Sequence, residues 1–138
     1  MRTPKAFTLI ELMIVVVILG ILATTIMPKI LNRPEQARRT KAKVEISKIE
    51  TALAMFKLET GRYPTTSQGL AALVNDPGVE NYNPDGYLDK VPHDPWNNPY
   101  VYLQPSINNR DFDLESYGKD GENGGADDDA DIENWNLN

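Results

Sequence analysis

From Phe7 to Met27 the chain carries a single ionisable residue, Glu11. Counted through Pro28 the segment is 22 residues, about 33 Å as a helix at about 1.5 Å per residue. That length crosses a hydrocarbon core of about 30 Å. Within it, Leu12–Ala23 is an unbroken apolar run in which only Gly20 lacks hydrophobic weight. Three readings compete. A secretory signal peptide needs a small-residue cleavage site after its apolar core, and Ile21-Leu22-Ala23-Thr24-Thr25 is a poor match. A plain membrane anchor leaves Glu11 unexplained, because a carboxylate inside lipid costs at least about 2.5–3.5 kcal/mol. A helix that starts in the membrane and later packs against copies of itself gives Glu11 a partner.

The rest of the chain limits what this segment serves. At 138 residues there is room for one globular domain. The absence of cysteine removes disulfides, thiolate metal sites and cysteine nucleophiles. His93 is the single histidine, with no nucleophile or second base placed beside it, so no enzyme is expected. The net charge of −6 is very unevenly spread. Residues 29–48 carry a net +5, while residues 111–138 hold ten acids against Lys119 alone. The basic stretch has no interleaved aromatic residues, so nucleic acid is not the expected partner.

Pro28 and Pro34 mark a helix break and restart, with Pro34 suited to a first helical turn. From Glu35 to Thr60 the pattern is helical: Ile46, Ile49, Leu53 and Phe56 recur at steps of three and four and make one apolar stripe. Gly61 follows as the C′ residue. A short helix is expected near Thr66 or Ser67 with a hydroxyl cap. The Pro/Asn/Asp/Gly-rich stretch from Asn75 to Asp94 reads as a loop. Two strands are expected after it, at Tyr100–Leu103 and Asp111–Tyr117. In the second, Phe112 and Leu114 alternate with Asp111, Asp113 and Glu115. Trp96 and Tyr100 read as core or loop anchors.

Residues 117–131 combine four glycines with many carboxylates. Such a composition reads as a disordered acidic tail, yet Ile132 and Trp135 lie beyond it and Trp135 calls for burial. Glycine at this density also suits a tight turn around a cation, and calcium takes six to eight oxygen ligands from carboxylates and carbonyls. Asp127-x-Asp129-x-Asp131 is followed by Ile132 rather than glycine, so the segment is not an EF-hand.

The heptapeptide Lys5-Ala6-Phe7-Thr8-Leu9-Ile10-Glu11, followed by its apolar run, resembles the class III leader of type IV pilins and pseudopilins. Three further segments narrow the resemblance: Gly61-Arg62-Tyr63-Pro64-Thr65-Thr66 with Gln68-Gly69-Leu70, Asp94-Pro95-Trp96-Asn97-Asn98-Pro99-Tyr100, and the run from Gly118 to Trp135. In this order they resemble the major pseudopilins of type II secretion systems over essentially the whole chain. Ala6 and Asn97 stand where that family usually has Gly, and Lys119 where it usually has Ala. Asn is the next-best residue for a left-handed backbone, so the turn at Asn97 survives.

The resemblance implies an α+β pilin-like fold. A long N-terminal helix, half of it transmembrane, packs on a small antiparallel sheet of two or three strands with a C-terminal calcium loop. It implies a leader of residues 1–6 removed between Ala6 and Phe7, with Phe7 methylated. A transmembrane or filament-core helix follows at residues 7–28, then a periplasmic domain at 29–138 that includes the amphipathic helix 35–60. Glu11 is expected to meet the N-terminal ammonium of a neighbouring subunit, and the basic face of residues 38–48 either stays solvated or meets acidic surface on adjacent subunits. Calcium ligands are implied at Asp120, Asp127 and Asp131, with Asp128 as an alternative and the Tyr117 carbonyl assisting.

The implied function is structural: a homopolymer forming a periplasmic pseudopilus that drives secretion across the outer membrane. Its partners are the prepilin peptidase, minor pseudopilins and an inner-membrane assembly platform. The implied placement is a single inner-membrane pass with the C-terminal domain in the periplasm. Charge counting disagrees, since Lys29, Arg33, Arg38, Arg39, Lys41 and Lys43 outnumber Arg2 and Lys5, and the positive-inside rule then favours the reverse orientation. The alternatives are a type IV pilin or competence pilus subunit, and a membrane-anchored calcium-binding domain that never polymerises.

Overall fold

Apolar residues on every side dominate residues 9–31, and in the computed structural model they form helix α1 (Leu9–Leu31). The structure describes the backbone of residues 7–31 and 33–137 and the side chains of 7–24 and 34–137. The expected leader 1–6, with Ala6, therefore lies outside the described residues. The expected break at Pro28 is not what the backbone shows. α1 stays helical through it to Leu31, since a proline inside a helix deletes one ladder bond and can bend the helix without ending it. Every large apolar side chain described in α1 is at least 48% exposed. Among the described residues no helix is long and apolar enough to cross a membrane; the part of α1 with described side chains stops at Thr24.

Helix α2 (Arg33–Thr60) carries Pro34 in its first turn, where a missing amide costs nothing. It ends where the sequence puts its stop: Gly61 takes φ +81°, and its amide donates to the Lys57 carbonyl at 2.8 Å. A side chain in that left-handed conformation would be strained. The chain divides into two compact units, residues up to Glu35 and from Gln36 onward.

The second unit is built on the stripe of α2. Ile46, Ile49, Leu53 and Phe56 are all buried, together with Ala42 and Ala52 of the same helix. They pack with Leu70, Ala72 and Leu73 of a one-turn 3₁₀ helix (Leu70–Leu73) and with Tyr100, Tyr102, Phe112, Leu114 and Ile132. That short helix starts later than the hydroxyl signal implies. Its N-cap is Gly69 without a side-chain bond, while the Thr65 hydroxyl accepts the Gln68 amide at 3.3 Å in the turn before it.

Strands β1 (Val101–Leu103), β2 (Asp113–Ser116) and β3 (Ile132–Glu133) form one antiparallel sheet in that order. Tyr102 faces Leu114, and Ser116 faces Ile132. Directly opposed residues share a face, which places Tyr102, Leu114, Ser116 and Ile132 together. The alternation expected for β2 holds in direction but not in exposure, for all four of its residues are buried. The Asp113 face is covered by the chain between β1 and β2. Asp113 accepts the Ser106 hydroxyl at 2.5 Å and the Ile107 amide at 2.8 Å. Burial pushes this carboxyl up, but the hydrogen bonds of Ser106, Ile107 and Asn108 outweigh it and hold it below the usual carboxylate range.

A depressed folded-state value stabilises the fold above the unfolded pKa of about 3.9, and that share is lost as pH falls through the folded value. Replacing Asp113 by Ala removes an ionised acceptor whose hydrogen bonds are worth about 1.5–3 kcal/mol. The expected result, read by thermal melting across pH, is an Asp113→Ala penalty that is largest near neutrality and shrinks below pH 4. A penalty independent of pH assigns the effect to packing instead.

Candidate functional site

β2 and β3 pair so that Glu115 lies opposite Glu133. Like charges directly across an antiparallel pair repel at a Cβ separation of about 4.5–5.5 Å. Asp131, just before β3, adds a third carboxylate. One oxygen from each of Glu115, Asp131 and Glu133 lies within 4.8 Å of the other two. Burial, then the charges of Asp131, Glu133 and Asp113, push the Glu115 carboxyl above its ordinary value. The Asp131 Oδ2 accepts the Gly124 amide at 2.8 Å, whereas its Oδ1 is buried and has no hydrogen-bond partner. Leaving such an acceptor unmet costs about 1–3 kcal/mol. Three convergent carboxylates and an orphaned oxygen are the donor set of a hard cation with oxygen ligands, so the residues fit a divalent metal of that kind.

The surrounding loop is held by its backbone. Gly118, at φ +67°, lies so close to the returning chain that a Cβ there would stand 3.1 Å from the Ala130 carbonyl oxygen. Arg39 Nη1 donates to the Ala130 carbonyl at 2.6 Å and to that of Asp128 at 3.3 Å. The Asn98 amide donates to the Gly118 carbonyl at 3.1 Å. Asn98 is itself fixed by the turn at residues 94–98: Asp94 accepts the amides of Trp96 and Asn98 at 3.0 and 2.8 Å and the Ser116 hydroxyl at 2.6 Å. Asn97 takes φ +71° there, the left-handed conformation that its place in the turn requires. The acidic segment is thus a closed loop whose two ends are stitched to α2 and to this turn.

Of the residues expected at the cation, Asp131 alone belongs to the convergent carboxylates. Asp120, Asp127 and Asp128 are not in that set. Asp120 is exposed, and its Oδ1 accepts the Glu122 amide at 3.2 Å. Asp127 is exposed at φ +54° and opens a one-turn 3₁₀ helix (Asp127–Asp129). Asp128 offers its carbonyl to Arg39. Tyr117 follows β2 and is half-buried. Sequence reasoning missed Glu115 and Glu133. Alternation placed Glu115 on a solvent face, and the register that sets it opposite Glu133 is invisible until β3 pairs. Trp135 and Trp96 are half-buried, while Tyr100 is buried and its hydroxyl donates to Glu45 at 2.9 Å. His93 forms an isolated antiparallel bridge with Pro99, a backbone role.

In the first unit, Glu11 closes the start of α1. Its carboxylate accepts the Thr8 amide at 3.1 Å and the Thr8 hydroxyl at 2.9 Å, while its own amide donates back to Thr8 Oγ1 at 3.3 Å. This is a reciprocal capping box, with the T-x-x-E signature of Thr8 and Glu11. Phe7, just ahead of it, is 79% exposed.

Comparison with known proteins places these features in a family. Residues 29–135 match the family described as type II secretion system protein G, and residues 1–27 match the prokaryotic N-terminal methylation motif. A Pseudomonas aeruginosa protein named type II secretion system core protein G is 54% identical over 138 residues, 97% of this chain and 96% of its own. One of the same name from Vibrio cholerae is 46% identical over 99% of this chain and 95% of its own. Among solved structures, the major pseudopilin of the type 2 secretion system of enterohaemorrhagic Escherichia coli aligns with a TM-score of 0.65 at 38% identity. That alignment covers 76% of this chain and 92% of the other. With its N-terminal methylation motif, its long helix and its small antiparallel sheet, the chain belongs to the protein G family of the type II secretion system.

Proposed function

We propose that the chain is the major pseudopilin of a type II secretion system, a structural subunit that polymerises into a periplasmic filament. The observation that carries this is α1: a helix apolar on every side and exposed along its described length. Such a helix needs lipid or other chains around it. In this reading, residues 1–6 are a leader cut off between Ala6 and Phe7 by a prepilin peptidase, and Phe7 is methylated. The N-terminal methylation motif supports that processing. Residues 7–28 span the inner membrane once and afterwards form the filament core, and residues 29–138 stand in the periplasm. Minor pseudopilins and an inner-membrane assembly platform are the partners. The chain catalyses nothing; it transmits force by adding and losing subunits.

Glu11 has two roles in succession. In the single chain its charge is met by Thr8, which lowers the cost of carrying a carboxylate at the head of an apolar helix. On assembly it exchanges that local partner for the ammonium of a neighbouring Phe7. Removing the carboxylate takes away this recognition and leaves the second unit untouched. Glu11→Ala should abolish filaments seen by electron microscopy and trap the secreted enzymes in the periplasm, with an unchanged melting temperature. Filaments of normal number and length from that variant end the proposed role.

The acidic loop holds calcium in this reading. Asp131 contributes its orphaned oxygen, with Asp120, Asp127 and the Tyr117 carbonyl as further ligands and Asp128 as the alternative. Glu115 and Glu133 are the carboxylates within reach of Asp131. The bound ion screens the repulsion among them and ties the loop to the sheet. An ion that binds only the folded state, at about 100 times its Kd, stabilises by about 2.7 kcal/mol, which raises Tm by on the order of 10 °C. Calcium should produce that rise in the full chain, chelator should reverse it, and Asp131→Ala should lose it. Asp120→Ala and Glu115→Gln then separate the ligand sets: the one that loses the calcium response lies in the coordination shell. No rise with calcium in the wild-type chain would falsify the site.

A further inference from the structure

Asn123–Gly124 is the single Asn-Gly pair in the chain. Every other asparagine with a successor is followed by a larger residue. The backbone nitrogen after an asparagine lies within reach of the carbonyl carbon of that asparagine's side chain. Bond formation between the two closes a five-membered ring, provided the next residue swings close. Glycine has no Cβ to obstruct that approach. The attack is intramolecular, so no encounter between separate molecules has to be arranged.

The pair stands at the crest of the acidic loop. Both residues are exposed and lie outside helix and strand. Among the described residues no group hydrogen-bonds the Asn123 side chain. On the near side, the Glu122 amide is tied to Asp120 Oδ1 at 3.2 Å. On the far side, Gly125 is wedged against the returning chain, where a Cβ would collide with the Asp129 carbonyl. Gly124 between them stands clear: at φ +104°, a Cβ on it would meet no heavy atom within 4 Å. The peptide between Asn123 and Gly124 therefore has room to turn while its neighbours stay in place. One restraint acts on the reacting nitrogen. The Gly124 N–H donates to Asp131 Oδ2 at 2.8 Å, and hydrogen bonds to an ionised acceptor are the strong ones. This bond holds the nitrogen in the loop and engages the proton it must shed on attack.

We propose that Asn123 is a site of spontaneous deamidation in the folded chain, with the Gly124–Asp131 hydrogen bond as its brake. The Gly124 nitrogen attacks Asn123 Cγ. The N–Cγ bond forms, the Cγ–Nδ2 bond breaks, and the proton from Gly124 leaves with the amide nitrogen as ammonia. The resulting succinimide takes up water at either ring carbonyl and opens to aspartate or to isoaspartate. Water is the only co-reactant, and nothing is oxidised or reduced. Either product adds a carboxylate to a loop already crowded with them. Isoaspartate also lengthens the main chain by one methylene, which shifts the Gly124 amide relative to Asp131. The inference is independent of the filament and calcium readings.

Peptide mapping by mass spectrometry tests this on the full chain in detergent, incubated at neutral pH with chelator so that no cation competes for Asp131. Water enriched in heavy oxygen labels each product as it forms. Asn123 should take up label and appear as isoaspartate ahead of Asn75 and Asn109, which are also exposed but precede Asp76 and Arg110. Asn123→Gln, whose longer side chain closes a ring poorly, should lose the signal at this position. Asp131→Ala should speed the conversion. Asp131→Asn keeps an acceptor for the Gly124 amide and should stay near the wild-type rate. If Asp131→Ala lowers the melting temperature, the wild-type chain in urea gives the unrestrained rate instead, and that rate should exceed the folded one. Labelling of Asn123 no faster than that of Asn75 and Asn109 overturns the site. Equal rates in the wild type and a folded Asp131→Ala chain, or in the folded and urea-unfolded wild type, overturn the brake.

Discussion

Ile46, Ile49, Leu53 and Phe56 on one side of α2 are what the second unit is assembled around. Its sheet is very small: β1, β2 and β3 contribute three, four and two residues. Three strands that short cannot hold themselves together on ladder bonds, since a small sheet needs an apolar face packed on something else. The α2 stripe supplies that surface to Tyr102, Leu114 and Ile132. Burial of an apolar side chain contributes about 1.5–3 kcal/mol, and each of the four stripe residues is buried in this core. The loops are then fastened to the same helix by polar contacts. Arg39 takes the Ala130 carbonyl, Lys43 the Leu137 carbonyl at 3.1 Å, and Glu50 the Asn134 amide at 3.0 Å.

The acidic cluster follows from that arrangement. Because β3 must place Ile132 in the core opposite Ser116, Glu133 is carried to the position opposite Glu115, and Asp131 is carried to the end of the same edge. Burying the apolar residue thus brings three carboxylates together, against their mutual repulsion. The orphaned Asp131 oxygen shows that protein groups alone do not satisfy the arrangement. A bound cation resolves the conflict without moving the strand, which gives the proposed calcium loop a structural rather than catalytic purpose. In that proposal the ion would do what a disulfide does elsewhere, in a chain that has no cysteine.

The two units follow different physical logic. The second hides its apolar residues from water by folding on itself. The first cannot, because α1 has no polar side to leave outside and, among the described residues, no other strand or helix of its own unit covers it. Its stability as a helix rests on continuous backbone bonding and on the Thr8–Glu11 cap. An exposed apolar patch on this scale marks an interaction surface, and the proposed membrane and filament states are two ways of covering it.

Much of this was legible in the residues. The all-apolar N-terminal run, the α2 stripe, the Gly61 stop, the loop from Asn75 and the two aromatic or alternating strands depend on local periodicity and turn chemistry, which neighbours in sequence determine. The family was legible for the same reason, since its motifs are local. What the tertiary structure decided is everything that depends on which distant segments meet. The burial of Asp113 and Glu115 depends on a covering loop and a third strand. The carboxylate cluster depends on the register between residues more than fifteen apart, so the ligand set expected along the acidic segment shares Asp131 with it and does not include Glu115 or Glu133. Linear sequence fixes period and conformation because those arise within a few bonds; pairing and convergence arise only when the core has closed.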